Sequence, residues 1–440
     1  MKKYKLSKYN YFVSQDEYTV TCTNLINKVI FGLDITKYNM LIDFSSKLDV
    51  LKEMNINLFN ALYKLGIIVD AEIDETTKIK TEHRLQVYAN KIYRLTIIPT
   101  LECNFKCWYC YEEHIKGRMS CQLQRSIIEH IKKQIYENRI NAIQLDWFGG
   151  EPLIYFDEIL YPLSKEIKSI SKKNNVVFSN TITTNGSLIN EKMIRKFKKI
   201  ELTNFQITLD GSEEFHNKVK RNKTNRNEYK IVIANLLKIC DILKKPSLMV
   251  RINYTQENIQ NLEHILLDIP MKYRDKMEFS FQQVWQTQNK DEVVIDDIIE
   301  KFLMSGITTK KCSLELRSYK CYADVLGQAV ITHEGKVFKC TARDFANHVP
   351  DGFLQDDGEI EWHNEYYRRM SQTTIENQKC NDCRFLPACW GPCSQKILEF
   401  QPREFEKICN IAGVEKTIKI LMLEFYKKNL LSEKQEAENV

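Results

Sequence analysis

The stretch TLECNFKCWYCYE, residues 100–112, places thiols at Cys103, Cys107 and Cys110, among aromatics and directly after an apolar run of strand length. Three thiols with three and then two residues between them have the spacing of metal ligands. A structural zinc site normally takes four Cys or His ligands, and no fourth Cys or His stands nearby at zinc-like spacing, His114 being the nearest histidine. A disulfide with a spare thiol is the poorer reading, because fourteen cysteines in a chain with no secretion signal point to metal or redox chemistry. A cubane iron–sulfur cluster takes four thiolates, so three leave one iron open. An open metal position marks a catalytic site rather than a structural one. The remaining cysteines are distributed unevenly: Cys312, Cys321, Cys340, Cys380, Cys383, Cys389, Cys393 and Cys409 crowd the last third of the chain, and only Cys22, Cys121 and Cys240 stand apart.

CX3CX2C with an aromatic, Tyr109, before the last cysteine resembles the signature of the radical S-adenosylmethionine (SAM) enzymes. The resemblance implies a [4Fe–4S] cluster on Cys103, Cys107 and Cys110. Its open iron would chelate the amino and carboxylate groups of SAM, and reductive cleavage would yield a 5′-deoxyadenosyl radical. The segment WFGGEP, 147–152, looks like the family's GGEP motif and implies that Gly149, Gly150, Glu151 and Pro152 border the methionine end of SAM, with Glu151 offering a carboxylate to its ammonium. TTNGSL and TLDGSEEFHNKVKR match segments that border the SAM pocket in relatives. They imply Thr184 and Asn185 for ribose or methionine contacts and Arg221 for the SAM carboxylate. Asp210 and Arg251 are candidate catalytic residues. Asp210–Gly211 also reads as a simple turn, and Arg251 and Asn253 read equally well as satisfied buried polar groups. His216 fits a general base by type, although a packed or surface histidine is the commoner reading.

CX13GX4C from Cys321 to Cys340, then CX2CX5CX3C from Cys380 to Cys393, then Cys409, resembles the SPASM domain, which carries two auxiliary [4Fe–4S] clusters. The family pattern implies Cys321, Cys340 and Cys393 on one and Cys380, Cys383, Cys389 and Cys409 on the other. Cys312 is the candidate fourth ligand of the first, the alternative in the family being an iron left open for a substrate thiolate. Three four-iron clusters present twelve iron positions, one is kept for SAM, and eleven clustered cysteines remain for the rest.

These residues need a scaffold that delivers them to one place. From about 90 to 310 the chain alternates strand-like runs (YRLTIIPT, AIQLDWF, VFSNTITT, NFQITLD, SLMVRINY, MEFSFQQV) with mostly helical intervals such as EYKIVIANLLKICDIL. Alternation of this kind predicts an α/β fold with a parallel sheet and crossover helices, and six strands are too few for a complete eight-stranded barrel. The expectation is a partial (β/α)6 TIM barrel over 89–310. Around it stand a winged-helix-like unit over 1–88, a cysteine-rich SPASM domain over 311–412 with VITHEGKVFKC as a hairpin, and a terminal helix of about 413–430 with a frayed tail. In the first unit, YNYFV and YTVTCTNLINKVIFGL read as strands, ITKYNMLIDFS and NINLFNALYKLGIIVD as helices, and AEIDETTKIKTEHR as a linker.

The 440 residues are 43% apolar and 28% charged with a net charge of +6, ordinary for a soluble globular chain. No basic stripe interleaved with aromatics points to nucleic acid. No apolar run approaches the roughly 18 residues of a membrane span. The basic start lacks an apolar signal region, which places the expectation in the cytoplasm.

The family resemblance covers about 90–410 and implies a peptide or protein substrate. Maturases of ribosomally made peptides carry a small winged unit ahead of the cluster motif that binds the precursor's leader as an added strand. The expected function is therefore a radical SAM oxidoreductase that installs a thioether or carbon–carbon crosslink in a precursor peptide, with flavodoxin or ferredoxin as electron donor. An anaerobic sulfatase maturase or another SPASM dehydrogenase is the alternative within the class. A non-enzymatic iron–sulfur electron carrier is the alternative outside it.

Overall fold

The computed structural model describes residues 3–221, 226–287, 292–310, 321–372, 377–399 and 408–438. The chain forms two compact units. The first comprises Met1–Ala89, Ser313–Leu326 and Arg368–Val440, and the second comprises Asn90–Cys312 and Gly327–Tyr367, each as far as its residues are described.

In the first unit β1 (Tyr4–Leu6) pairs antiparallel with β5 (Ile68–Asp70). Between them β2 (Asn10–Ser14), β3 (Thr19–Asn24) and β4 (Val29–Asp34) form an antiparallel sheet in that order, leaving β2 and β4 as edges. Strand side chains alternate between faces. Phe12, Val20, Cys22, Phe31 and Leu33 meet the helices Ile35–Asp43, Leu48–Met54 and Ile56–Lys64. Tyr11, Val13 and Ile30 meet a second core that holds Tyr9, Leu25, Ile79, Cys380, Phe385, Leu386 and Trp390 with Ile418 and Met422. Met422 comes from the terminal helix Ile411–Glu438 and is completely buried, a burial worth about 1.5–3 kcal/mol. Tyr11 Oη donates to Glu415 Oε1 of that helix at 2.6 Å. The helix runs through most of the stretch expected to fray.

The segment expected as a linker is a helix, Glu75–Tyr88. Asp74 caps it by accepting from Thr77 N at 3.0 Å, and Ile79 and Val87 are buried. Apart from exposed Leu85 and Tyr88 its other positions are polar, so the apolar period is too thin to read from sequence, and capping and packing hold it instead.

In the second unit the six expected strands are all present: β6 (Ile92–Ile97), β7 (Ala142–Trp147), β8 (Val177–Thr184), β9 (Leu202–Leu209), β10 (Ser247–Tyr254) and β11 (Glu278–Gln283). They pair in chain order and in parallel. A short β12 (Thr308–Lys310) adds to β11. At the other edge β13 (Gln328–Ile331) joins β6 in parallel, and β14 (Lys336–Phe338), β15 (Gly352–Leu354) and β16 (Ile360–Trp362) continue antiparallel. The expected hairpin is β13–β14, and it completes the barrel sheet. The strand order has two ends, as a partial barrel requires.

Alternation along these strands sorts the residues. Leu145, Trp147, Ile182, Phe205, Ile207, Val250, Ile252 and Phe279 join the core with the crossover helices. The intervening positions are polar: Arg94, Gln144, Asp146, Gln206, Thr208, Arg251 and Asn253. The lumen is therefore a polar space rather than a packed apolar core. Cys240 lies in the outer core and Cys22 in the first unit's core, as packing thiols. Cys121 begins the helix Cys121–Tyr136 behind a Ser120 cap.

Candidate functional site

The loop after β6 carries Cys103, Cys107 and Cys110, and all three line one cavity enclosing about 980 Å³ out to its mouth. The same cavity is lined by Gly149 and Gly150 after β7, by Thr184 and Asn185 at the end of β8, and by Lys220, Arg251 and Asn253. These residues come from the carboxyl ends of successive parallel strands, where such folds concentrate chemistry. Burial pushes the Cys103 thiol up to about 12, with the Glu151 carboxylate adding to it. A thiol held protonated by burial becomes a thiolate when a cation replaces its proton. Among the described residues no three His, Cys, Asp or Glu side chains close on one point as ligands of a single ion do. Three thiols lining one cavity fit a multi-iron group whose corners take one thiolate each.

The two glycines serve packing as well as access. A Cβ on Gly150 would stand 2.5 Å from the Leu101 carbonyl oxygen and 2.3 Å from that of Glu102, and one on Gly149 would meet Thr100 O at 2.7 Å. Gly149 also has φ +113°, outside the range of ordinary side chains. The β7 loop is thereby pressed on the segment leading into Cys103. Glu151 N donates to Glu102 O at 2.8 Å and completes the join.

Glu151 is fully buried. Its carboxylate accepts from Leu153 N at 3.0 Å, from Thr184 Oγ1 at 2.8 and 2.9 Å, and from Asn185 N at 2.9 Å. Burial raises its pKa while these donors pull it back. The carboxylate thus joins the ends of β7 and β8, and Glu151 is not among the residues lining the cavity. Pro152 opens the short 3-10 turn Pro152–Tyr155 that Glu151 caps. Asn185 spends its amide on Asn104 Oδ1 at 2.9 Å and lies 4.0 Å from Cys103 Sγ, so the cluster loop is tied to β8 as well.

Asp210 is the centre of a second network. It is fully buried at the end of β9. Tyr109 Oη, from the cysteine loop, lies 2.8 Å from both carboxylate oxygens. Asn253 Nδ2 donates to Asp210 Oδ1 and to Tyr109 Oη, each at 3.1 Å. Lys220 Nζ stands 3.4 Å from Oδ2, and both partners are almost completely buried. Burial works against the Lys220 charge, but the Asp210 carboxylate and its neighbours hold the ammonium well above its ordinary pKa. Arg221 is exposed, with Nε donating to Lys218 O at 3.0 Å, and it does not line the cavity. Sequence reasoning weighed only the arginine of this adjacent Lys–Arg pair. The signal that distinguishes them is the end of the helix Glu213–Val219, which turns Lys220 inward.

His216 is a packed histidine. Its Nδ1 accepts from Asp210 N at 3.2 Å, its ring meets Tyr229 edge-on, and it does not line the cavity. His114 Nε2 lies 3.5 Å from Cys110 Sγ. Cys321, Cys380, Cys383, Cys389, Cys393 and Cys409 belong to the first unit and Cys340 to the second. Cys380, 8% exposed, and Cys383 share the core of Tyr9 and Trp390. Cys312 lies outside the described residues.

Two consequences follow for measurement. Gly150→Ala forces the Glu102 segment away from the β7 loop and is expected to destabilise the fold by about 1–3 kcal/mol and to lower iron content per chain after reconstitution, read by denaturant unfolding and iron assay. Burial pushes the His216 ring down to about 4. The unfolded ring, with a pKa of about 6.5, binds the proton first. Its contribution is therefore complete above about pH 6.5 and lost as pH falls toward 4, by about 3 kcal/mol in all. His216→Gln should flatten that part of the stability–pH profile, and an unchanged slope would contradict it.

Residues 97–269 match the model of the Radical SAM superfamily. Among characterised or named proteins, the chain is 29% identical over 192 residues to the cysteine-type anaerobic sulfatase-maturating enzyme of Clostridium novyi, covering 41% of this chain and 47% of that one. It is 29% identical over 140 residues to the uncharacterized protein sll1766 of Synechocystis, covering 31% and 34%. It is 27% identical over 246 residues to a probable GTP 3′,8-cyclase of Methanococcus vannielii, covering 50% and 78%. The chain thus spans between a third and a half of the first two relatives' lengths. Its fold is similar to that of native anSMEcpe with bound AdoMet and Kp18Cys peptide, with a TM-score of 0.55, 17% identity and coverage of 79% and 100%. It is also similar to Streptococcus suis SuiB bound to precursor peptide SuiA, with a TM-score of 0.51, 18% identity and coverage of 93% and 100%. The cysteine triad at the mouth of a partial parallel barrel and the match over 97–269 together show that this chain carries a Radical SAM domain.

Proposed function

We propose that the chain is a peptide maturase that abstracts hydrogen from a residue of a ribosomally made precursor and leaves a thioether or carbon–carbon crosslink. The observation that carries the chemistry is the gathering of Cys103, Cys107 and Cys110 with the glycine ledge and Lys220 in one cavity. Bound there, a [4Fe–4S] cluster and SAM supply a 5′-deoxyadenosyl radical. The protein's own part is positional. Cys103, Cys107 and Cys110 hold three corners of the cluster. Lys220, kept charged by Asp210 and directed into the cavity, is the cation for the SAM carboxylate, a role that the motif resemblance had given to Arg221. Thr184 and Asn185 present the β8 end to the nucleotide while Glu151 fixes both. Asp210 acts here by positioning Tyr109 and Lys220.

The first unit supports a peptide substrate. Its three-stranded sheet leaves two edges on which an extended leader adds as a strand. SuiB, similar in fold, is bound to its precursor peptide in its structure. In this reading the cysteine-rich segments hold two auxiliary clusters: Cys321, Cys340 and Cys393 with Cys312 on one, and Cys380, Cys383, Cys389 and Cys409 on the other. Bound there, these clusters would accept the electron left on the substrate after hydrogen abstraction as the crosslink closes and a proton departs, while a flavodoxin- or ferredoxin-type donor would supply the separate electron that cleaves SAM. No helix among the described residues is long and apolar enough to cross a membrane. The similarity to the Clostridium novyi enzyme favours a second reading, dehydrogenation of a single residue in a protein substrate, as in a sulfatase maturase.

The test is a search for a short reading frame beside this gene and co-expression of the peptide it encodes, followed by peptide mass and fragmentation, together with an anaerobic assay for 5′-deoxyadenosine. A peptide lighter by two hydrogens and linked between two residues supports crosslinking. The same mass loss confined to one residue supports the second reading, and no deoxyadenosine overturns both. Lys220→Ala should weaken SAM binding at least about tenfold, whereas Arg221→Ala should leave it within about twofold.

A further inference from the structure

The lumen of the barrel contains three described cations, and two of them arrive with a carboxylate. Lys220 stands 3.4 Å from Asp210. Arg94 Nε and Nη2 bond Gln144 Oε1 at 3.0 and 2.7 Å, and Asp146 lies 4.0 Å away. Arg251 is the exception. Its Nε donates to the neutral Asn253 Oδ1 at 3.0 Å. Its Nη1 and Nη2 bond no protein atom among the described residues, and no described carboxylate is within ion-pair distance. The side chain is half-buried and lines the same cavity as the three thiols. Two surroundings of this guanidinium point to a ligand. In register, Arg251 faces Thr208 of β9 and Ser280 of β11, so short hydroxyl side chains flank it on both strands and leave room beside the fork. Asn253, which holds Nε, is itself fixed by Asp210 and Tyr109, so the fork is oriented before anything binds.

An arginine fork matches a carboxylate with two parallel bonds. Asp210 already pairs with Lys220, whereas Arg251 lines the cavity with no described carboxylate at ion-pair distance, which suits a single carboxylate. We propose that Arg251 reads a carboxylate on the peptide substrate, from an acidic side chain or a chain terminus, while Lys220 serves the carboxylate of SAM. The inference rests on the peptide-radical reading for its substrate. It makes Arg251 a specificity residue: substrates carry an acid close to the carbon that loses hydrogen.

The test is footprinting of the full, anaerobically reconstituted chain with phenylglyoxal, which modifies unpaired guanidinium groups, read residue by residue by mass mapping. The probes are N-acetyl-aspartic acid α-amide for a side-chain acid, N-acetyl-alanine for a terminal acid, N-acetyl-alaninamide as the neutral match, and SAM alone. Arg251 should react readily without ligand. One or both acids should slow it at least about tenfold, with SAM already bound, whereas the amide should not. The acid that protects better identifies the source. Failure of Arg251 to react, equal protection by acid and amide, or full protection by SAM alone would each overturn the inference. Protection by acids in a protein that fails to cleave SAM would leave this site standing and remove the radical reading instead.

Discussion

The cysteine loop is held to the barrel by a carboxylate with no solvent of its own. Asp210 is completely buried, and an unpaired charge there would cost several kcal/mol. Its partners come from three places in the chain: Tyr109 from the cysteine loop, Asn253 from β10 and Lys220 from beyond the helix after β9. Satisfying one buried charge therefore fixes a loop, a strand and a cation relative to one another. Asn258 closes the set by donating to the Asp210 carbonyl at 2.9 Å. Because Tyr109 precedes Cys110, the same bond sets where the third thiol stands. Glu151 repeats the device one strand pair away, joining β7 to β8 beneath the glycine ledge. Both carboxylates act first as architecture, and the chemistry is arranged around them.

Much of the barrel was legible because its strands are buried on the outer face and polar on the lumen face, giving β-branched runs that end in turn residues. Five of the six strands fall within two residues of the sequence reading, and the first, read to Thr100, ends three residues earlier at Ile97. The cysteine spacing was legible for a different reason: it reflects metal chemistry, which no packing requirement mimics. What the sequence did not reveal depends on long-range contacts. The helix Glu75–Tyr88 shows only a thin apolar stripe, and its buried Ile79 shares a core with Phe385 and Trp390 some three hundred positions away. That β13 pairs with β6 is likewise invisible to local pattern, and it is why the stretch 327–367 folds with the barrel instead of with the cysteines on either side. The choice between Lys220 and Arg221 turned on where one helix ends. The role of Glu151 turned on two donors, Thr184 and Asn185, more than thirty residues away in sequence.

The first unit is built on the two faces of one small sheet. One face is closed by its own helices. The other shares a core with Cys380, Cys383 and the terminal helix, so the amino-terminal strands and the carboxyl-terminal cysteine segment form one folded body. Removing residues 1–88 would therefore expose Phe385, Trp390, Ile418 and Met422 and damage the cysteine segment along with any peptide-binding edge. In the second unit the polar lumen follows from the same alternation that builds the outer core. Of its cations named above, Lys220 and Arg94 stand near a carboxylate, and Arg251, which lines the cavity, does not among the described residues.

The central claim is that Cys103, Cys107 and Cys110 leave one iron of their cluster without a protein ligand, open to the amino and carboxylate groups of SAM. Electron–nuclear double resonance on the reduced, anaerobically reconstituted protein addresses this directly, with SAM labelled by ¹⁵N at the amino group and ¹⁷O at the carboxylate. The account predicts new couplings from both labels, absent when any one of the three cysteines is replaced by alanine. Spectra identical with labelled and unlabelled SAM, in protein that carries its full iron, would contradict it.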